Sequence, residues 1–198
     1  MSNITKKPCP KCGFHFNCIC QYSPNLISKS QFVLLLHPNE HGRLTNTGKL
    51  VQQSLSNCLS FTWDRVNPPQ ALLKLITDKQ YNTVLLFPNN ESQPLNQEVV
   101  HHNEKPSLFI ILDSTWQEAR KMVRKSPWLQ SLMTMHLLPR NDSAYTLRRN
   151  QQDGNLCTCE TVTELLHLLD ESENAKQLDD FFQLYLNTYK ADKNKRCL

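Results

Sequence analysis

The sequence predicts an α/β domain: a mostly parallel sheet with helices on both faces, preceded by a small cysteine-rich segment. Three observations predict it. Short apolar runs rich in branched residues recur at 32–36 (FVLLL), 83–87 (TVLLF) and 108–112 (LFIIL), as in strands buried on both faces. Helix-sized segments separate them, which is how parallel strands are joined. The chain before residue 25 instead shows two close cysteine pairs and little periodicity.

Each element follows in order. After the strand at 32–36, residues 47–56 form a helix with Leu50, Val51 and Leu55 on its apolar side, and 59–63 a second strand. Pro68 and Pro69 open a helix through Leu72, Leu73, Leu75 and Ile76, because proline is tolerated in a first turn. Pro88 ends the strand at 83–87, and 89–106 is a polar loop. After the strand at 108–112, Thr115 and Glu118 make a capping-box pattern that starts a helix, stopped near Ser126-Pro127. Residues 132–138 form a further strand. Two helices close the domain, at 161–169 with its own Thr161–Glu164 capping box and at 178–189, and the tail at 191–196 frays. The expected division is a cysteine-rich segment at 1–25 and a domain at 26–192.

Bulk properties narrow the function. A length of 198 residues suits one domain plus an appendage. The net charge of +4 permits a nucleic-acid partner without requiring one. No apolar run approaches the roughly 18 residues of a membrane span, and the N-terminal MSNITKKPCPKCG has no secretory-type apolar core. Eight cysteines without an export signal point to reduced thiols and a cytoplasmic location. With only four glycines there is no G-x-G-x-x-G and no phosphate loop, which weighs against a Rossmann site, a glycine-rich methyltransferase loop and an NTPase.

Cys9, Cys12, Cys18 and Cys20 have the spacing C-x2-C-x5-C-x-C. Four thiolates would fill a tetrahedral zinc and leave no open position, so the ion would be structural. The competing reading is free cysteines in a flexible tail, or an oxidised pair, and His15 is a substitute ligand. Cys157 and Cys159 have no partner pair nearby and read as core thiols. Cys58 and Cys197 carry no signal.

Asp113 stands where the strand at 108–112 gives way to the helix capped by Thr115. A carboxylate there, at a strand's C-terminal end beside a helix start, occupies the usual ligand position of open α/β sheets. On that helix Trp116, Ala119 and Met122 or Val123 share one side, and Arg120, Lys121, Arg124 and Lys125 the other. Four cations on two turns suit a phosphate-bearing partner; Arg43 and Lys49, near another helix start, suit one too, or form a solvated face. His37, Glu40 and His41 fit no standard metal spacing and read as a polar loop lining the site. Trp63 and Trp128 read as core, and His101-His102 as surface. No Ser-His-Asp arrangement is recognisable.

Together these pieces resemble the DTW-domain family, named for a D-x-T-W motif that here is Asp113, Thr115 and Trp116. The paired cysteines, the T-N-T-G of Thr45 to Gly48 and Phe87-Pro88 at a strand end also match. So do the E-A-R-K-M after the motif, Ser143-Ala144-Tyr145 with Leu147-Arg148, and Cys157-Thr158. The likeness covers nearly the whole chain and is nearest to bacterial tRNA-uridine aminocarboxypropyltransferases. Cys159 stands where a small residue such as alanine is expected.

The resemblance implies a SPOUT-like fold with a C-terminal knot, a rare path that strand counting would not suggest. It implies S-adenosylmethionine as donor of a 3-amino-3-carboxypropyl group to N3 of a tRNA uridine, with methylthioadenosine released. Leu86, Phe87, Pro88, Asp113, Thr115, Trp116, Leu147, Cys157 and Thr158 would surround the donor. Asp113 would take the N3 proton or hold the imide. Arg43, Lys49, Arg120, Lys121, Arg124, Lys125 and Arg148 would meet the tRNA, and a monomer is favoured. The rivals are an RNA methyltransferase of the same fold, a ribosomal-RNA acceptor, and a zinc-bearing RNA-binding protein without catalysis.

Overall fold

The structure, a computed structural model, describes residues 7–101, 104–140, 142–145, 147 and 156–194. Among them, six strands pair in one sheet: β1 (Gln31–Leu36), β2 (Cys58–Thr62), β3 (Asn82–Leu86), β4 (Gln93–Pro94), β5 (Ser107–Asp113) and β6 (Met133–His136). Their order is β2-β1-β5-β3-β6-β4 and every pairing is parallel.

Strand alternation sorts the core into two layers, as a period of two requires. Phe32, Leu34 and Leu36, with Phe109, Ile111, Val84 and Leu86, face one side. There they meet α1 (Gly48–Ser54), α6 (Thr158–Leu168) and α7 (Ser172–Lys193). Val33, Leu35, Leu85, Leu108 and Ile110 face the other side, against Leu72 of α2 (Gln70–Ile76), Ala119 and Met122 of α4 (Trp116–Lys125) and Leu129 of α5 (Pro127–Gln130). Helices therefore cover both faces, as the continuous apolar strands required. Trp63 is buried core; its indole N–H donates to Ser126 Oγ at 2.8 Å and its ring stacks on His37.

Three expectations need correction. The region 89–106 is not all loop: it contains β4 and α3 (Gln97–His101). Neither shows in local composition, because β4 is two polar-flank residues whose strand character comes from pairing with Met135 and His136. Helix α6 starts a turn earlier than Thr161, at Thr158, where the capping box is formed by Cys157 and Glu160. Glu160 Oε2 accepts the Cys157 N–H at 2.8 Å, leaving Thr161 and Glu164 inside the helix. The C-terminal helix runs from Ser172 through Lys193, so 191–193 is not frayed. Asp192 explains this: it is buried, and its carboxylate accepts the N–H groups of His15, Phe16 and Asn17 at 3.0, 2.7 and 3.2 Å.

Candidate functional site

From β1 the chain moves to one side of the sheet, to β2; from β5, the neighbour of β1, it moves to the other, through α4 to β6. Such a reversal opens a crevice at the strands' C-terminal ends. A cavity of about 340 Å³ lies there. Its walls are Leu86 and Phe87 at the end of β3, Ile111 and Leu112 of β5, and Ser114, Thr115, Trp116, Gln117 and Ala119 at the start of α4. Thr47, Tyr145, Leu156, Cys157, Thr158 and Thr161 complete it. The N-caps of α4 and α6, Thr115 and Cys157, both border the space, so the positive ends of two helices lie beside it. Apolar walls with a cluster of hydroxyls suit a small organic ligand carrying an anionic group.

Asp113 sits directly behind this wall. It is 1% exposed. Its Oδ1 accepts the Thr158 hydroxyl at 2.8 Å, and its Oδ2 accepts the Asn46 amide at 2.8 Å. Gly48 is packed against it so closely that a Cβ there would lie 2.9 Å from Asp113 Cγ. The carboxylate thus reaches the cavity through Thr158: a hydroxyl that gives its proton to a carboxylate turns its lone pairs outward as a strengthened acceptor.

Of the other residues expected around a donor, Leu86, Phe87, Thr115, Trp116, Cys157 and Thr158 line the cavity. Pro88 does not; it borders a neighbouring shallow groove with Asn89, Asn90, Glu91 and Arg120, because it lies one residue past the strand's buried end. Leu147 also does not, and is packed instead on the partly buried rim of the core. Cys159 is wholly buried, the core thiol the spacing suggested, whereas Cys157 reaches the cavity. Thr47, Asn46 and Tyr145 are the site residues that periodicity alone passes over. Their signal is the T-N-T-G and S-A-Y segments, short polar stretches beside helix starts.

The loop after β1 does not line the cavity as expected; it forms a charged network beside it. Asn46 Nδ2 bridges Asp113 to Glu40 Oε2, at 3.1 Å. Arg43 pairs with Glu40 at 2.6 Å and approaches Glu118 at 3.8 Å. Glu118 closes the α4 capping box with Thr115 and accepts Asn39 Nδ2 at 2.8 Å. Burial pushes the Glu118 carboxyl up, but the Thr115 N–H, the Asn39 amide, the Thr115 hydroxyl and His37 outweigh it and hold the group down at about 2. His37, Glu40 and His41 assemble no metal cluster among the described residues.

The cations divide sharply. Arg120, Lys121, Arg124 and Lys125 are all exposed on α4, opposite buried Ala119 and Met122. Lys49 is a correction: its ammonium points inward, donating to the carbonyls of Leu44 at 2.7 Å and Cys12 at 3.1 Å and lying over the Tyr185 ring. Burial pulls it down to about 8, with the thiols of Cys12 and Cys20 acting the other way. This half-buried ammonium is committed to two carbonyls and a ring face, which turns it away from a phosphate partner. Arg43 is likewise matched by two carboxylates. Arg148 lies outside the described residues.

The sulfurs of Cys9, Cys12, Cys18 and Cys20 all lie within 4.8 Å of one another. Cys9–Cys20 and Cys9–Cys18 are 3.6 Å apart and Cys12–Cys18 3.9 Å. A zinc tetrahedron with ordinary Zn–S bonds has sulfur edges of about 3.8 Å. No disulfide joins them. The N–H groups of Cys12 and Lys11 hold the Cys9 thiol down to about 6, while burial and the neighbouring sulfurs push Cys20 up to about 12. Four sulfurs this close cannot all ionise without a cation among them, and the donor set is that of a closed metal site.

Among known proteins, the DTW domain profile matches residues 6–190. A "tRNA-uridine aminocarboxypropyltransferase 2" of Drosophila melanogaster is 31% identical over 160 residues, 79% of this chain and 62% of that protein. The protein of that name from Mus musculus is 23% identical over 78% of this chain and 53% of its own length. A "tRNA-uridine aminocarboxypropyltransferase A" of Arabidopsis thaliana is 28% identical over 55% of this chain and 47% of that protein. The chain thus spans about half to three-fifths of the length of these relatives. With Asp113, Thr115 and Trp116 built into one cavity wall and its backing, and a profile match spanning almost every described element, the chain belongs to the DTW-domain family.

Proposed function

We propose that this protein transfers the 3-amino-3-carboxypropyl group of S-adenosylmethionine to N3 of a tRNA uridine, releasing methylthioadenosine. The observation that carries the reading is the Asp113–Thr158 pair at the crevice of a DTW domain whose relatives are named tRNA-uridine aminocarboxypropyltransferases. The cavity suits the donor: Leu86, Phe87, Ile111 and Trp116 offer apolar surface for its ring, and the N-terminal turns of α4 and α6 a seat for its carboxylate. The bound donor supplies an electrophilic carbon with a good leaving group, so the protein's contribution is largely alignment.

Uracil N3–H is weakly acidic and must lose its proton to attack. Thr158 Oγ1 accepts that N–H, and Asp113 receives charge density, and finally the proton, through the same hydroxyl. Asp113 is accordingly a base acting through Thr158, while Asn46 fixes its second oxygen. The exposed Arg120, Lys121, Arg124 and Lys125, which rise from the cavity wall on α4, bind the tRNA backbone, joined by Arg148. Cys9, Cys12, Cys18 and Cys20 hold a structural zinc ion. The reading includes the SPOUT-like knotted path, for which the parallel sheet with β5 at its centre is the support, and a monomer acting in the cytoplasm. No described helix is long and apolar enough to cross a membrane.

Incubation with unmodified tRNA and S-adenosylmethionine, followed by nucleoside mass spectrometry, tests the proposal. An aminocarboxypropyl-uridine together with methylthioadenosine is the expected result. A methyl adduct with S-adenosylhomocysteine would transfer the site to methyl chemistry, and no adduct would leave a binding protein.

A further inference from the structure

The cysteine cluster and the cavity are not independent. Cys12, a buried member of the cluster, presents its carbonyl to Lys49 Nζ at 3.1 Å, and the same ammonium holds the Leu44 carbonyl at 2.7 Å. The Tyr185 hydroxyl donates to that Leu44 carbonyl as well, and the Tyr145 hydroxyl to the next carbonyl, of Thr45. Leu44's side chain fills the space over Gly13, which has φ +80° and no room for a Cβ. Two residues on, Asn46 grips Asp113 with its amide and the Lys49 N–H with its oxygen. Thr47 then accepts the Cys159 N–H at 3.3 Å, at the start of α6. Cavity-lining Thr47 therefore belongs to the stretch of backbone that the cysteine knuckle clamps, and cavity-lining Thr158 is joined to it by two hydrogen bonds, through Asp113 and Asn46.

We infer that Lys49 is a positioning residue: it makes segment 43–47 a strut through which a metal ion in the cysteine cluster holds Asn46, Asp113 and Thr158 in their cavity-facing arrangement. A filled cluster fixes the Cys12 carbonyl. When the cluster opens, that carbonyl leaves, and the half-buried Lys49 ammonium, short of an acceptor, swings toward water. Leu44 loses one of its holds, Asn46 loosens, and the disturbance reaches the α6 N-terminus. Coupling runs through adjoining hydrogen bonds whose partners are all named. Asp192, which pins the N–H groups of residues 15–17 to α7, anchors the far side of the knuckle, so its movement is directed toward Lys49 rather than dissipated in a tail.

The experiment uses the full chain, metal-loaded or stripped by chelator, as wild type and as Lys49→Met, with Tyr185→Phe as a milder variant should the first not fold. Amide exchange is read over 9–20, 44–47 and 156–161, and S-adenosylmethionine affinity by calorimetry; the affinity arm rests on the donor reading above. Metal removal from the wild type should speed exchange in all three segments and weaken the donor about tenfold. Lys49→Met with its metal bound should show the fast exchange at 44–47 and 156–161 and the weakened donor already, and stripping it should add little in those segments. Tyr185→Phe should move the same readouts in the same direction by less. Metal removal confined in its effect to 9–20, or a Lys49→Met protein equal to wild type, overturns the strut. A wild type that binds no donor refutes the transferase reading, while the exchange arm still decides the strut.

Discussion

The four thiols of the cluster come from a stretch in which Cys9 and Cys20 are 11 residues apart. The groups that meet at Asp113 come from 67 residues before it, at Asn46, and 45 after it, at Thr158. The first site is drawn together by its own tight turns and needs an ion to hold it, since sulfurs at such distances repel once ionised. The second is held mainly by a sheet and two helix layers, with the metal-backed strut as a brace, and each part of it depends on distant packing. The two sites should therefore fail differently: the first collapses with its metal, while the second is only loosened by that loss and fails outright with single side chains.

The largest effect expected is on catalysis. Asp113→Ala should lower aminocarboxypropyl transfer by about 100-fold or more, because alignment and proton removal are lost together. The buried Asn46 amide loses an acceptor, at a cost of about 1–3 kcal/mol, while the cavity-facing Thr158 hydroxyl can turn to water, so the melting temperature falls while metal content stays. Single-turnover kinetics, a thermal melt and metal analysis check this; near-normal turnover would remove Asp113 from the mechanism. Cys12→Ser should do the converse: lose the metal and several kcal/mol of stability, visible in metal analysis and denaturant unfolding, with the α/β circular dichroism retained. A metal-free Cys12→Ser protein as stable as wild type would end the zinc assignment.

Smaller effects separate docking from chemistry. Arg120→Glu with Arg124→Glu should weaken tRNA binding about 10- to 100-fold and reduce the slope of log affinity against log salt by about 2. Donor affinity should not change, because neither side chain lines the cavity. An unaltered salt slope would move the tRNA to another face. Gly48→Ala tests how tightly Asp113 is seated. The added methyl would press on the Asp113 carboxyl and on Leu34 Cδ1 at 3.2 Å, so a loss of about 1–3 kcal/mol is expected in chemical unfolding. Equal stability would mean that the carboxylate has room to move.

The same contrast governs what could be read in the sequence. The cysteine cluster was legible from spacing alone, because ligand geometry there is local. The sheet was legible too: the three apolar runs became β1, β3 and β5, and the Thr115–Glu118 capping box stands as expected. Strand β4 was not legible, since its two residues take their conformation from β6. Nor was the inward turn of Lys49, because a lysine beside a helix start looks the same whether it meets phosphate or buried carbonyls. Asp113's position was readable from its place at a strand end, but its setting behind Thr158 depends on α6, 45 residues away.

Glu118 offers the finest test, because it stands between the cavity wall and the network beside it. Its carboxyl is held at about 2, below its ordinary 4.5, so the folded protein keeps it ionised where the unfolded chain takes up a proton. Its stabilising contribution is therefore complete above pH 4.5 and shrinks as pH falls from there toward 2. Glu118→Gln keeps an acceptor for the Thr115 N–H and hydroxyl, which share Oε2, but removes the charge that meets Arg43 and places an N–H at Oε1, where the Asn39 amide now donates. The variant should melt about 2–4 °C below wild type at neutral pH. The gap should close as the pH is lowered through that window. A gap of constant size from neutral pH down to pH 2 would mean that the carboxylate's charge contributes nothing, and that Thr115 caps α4 equally well with a neutral partner.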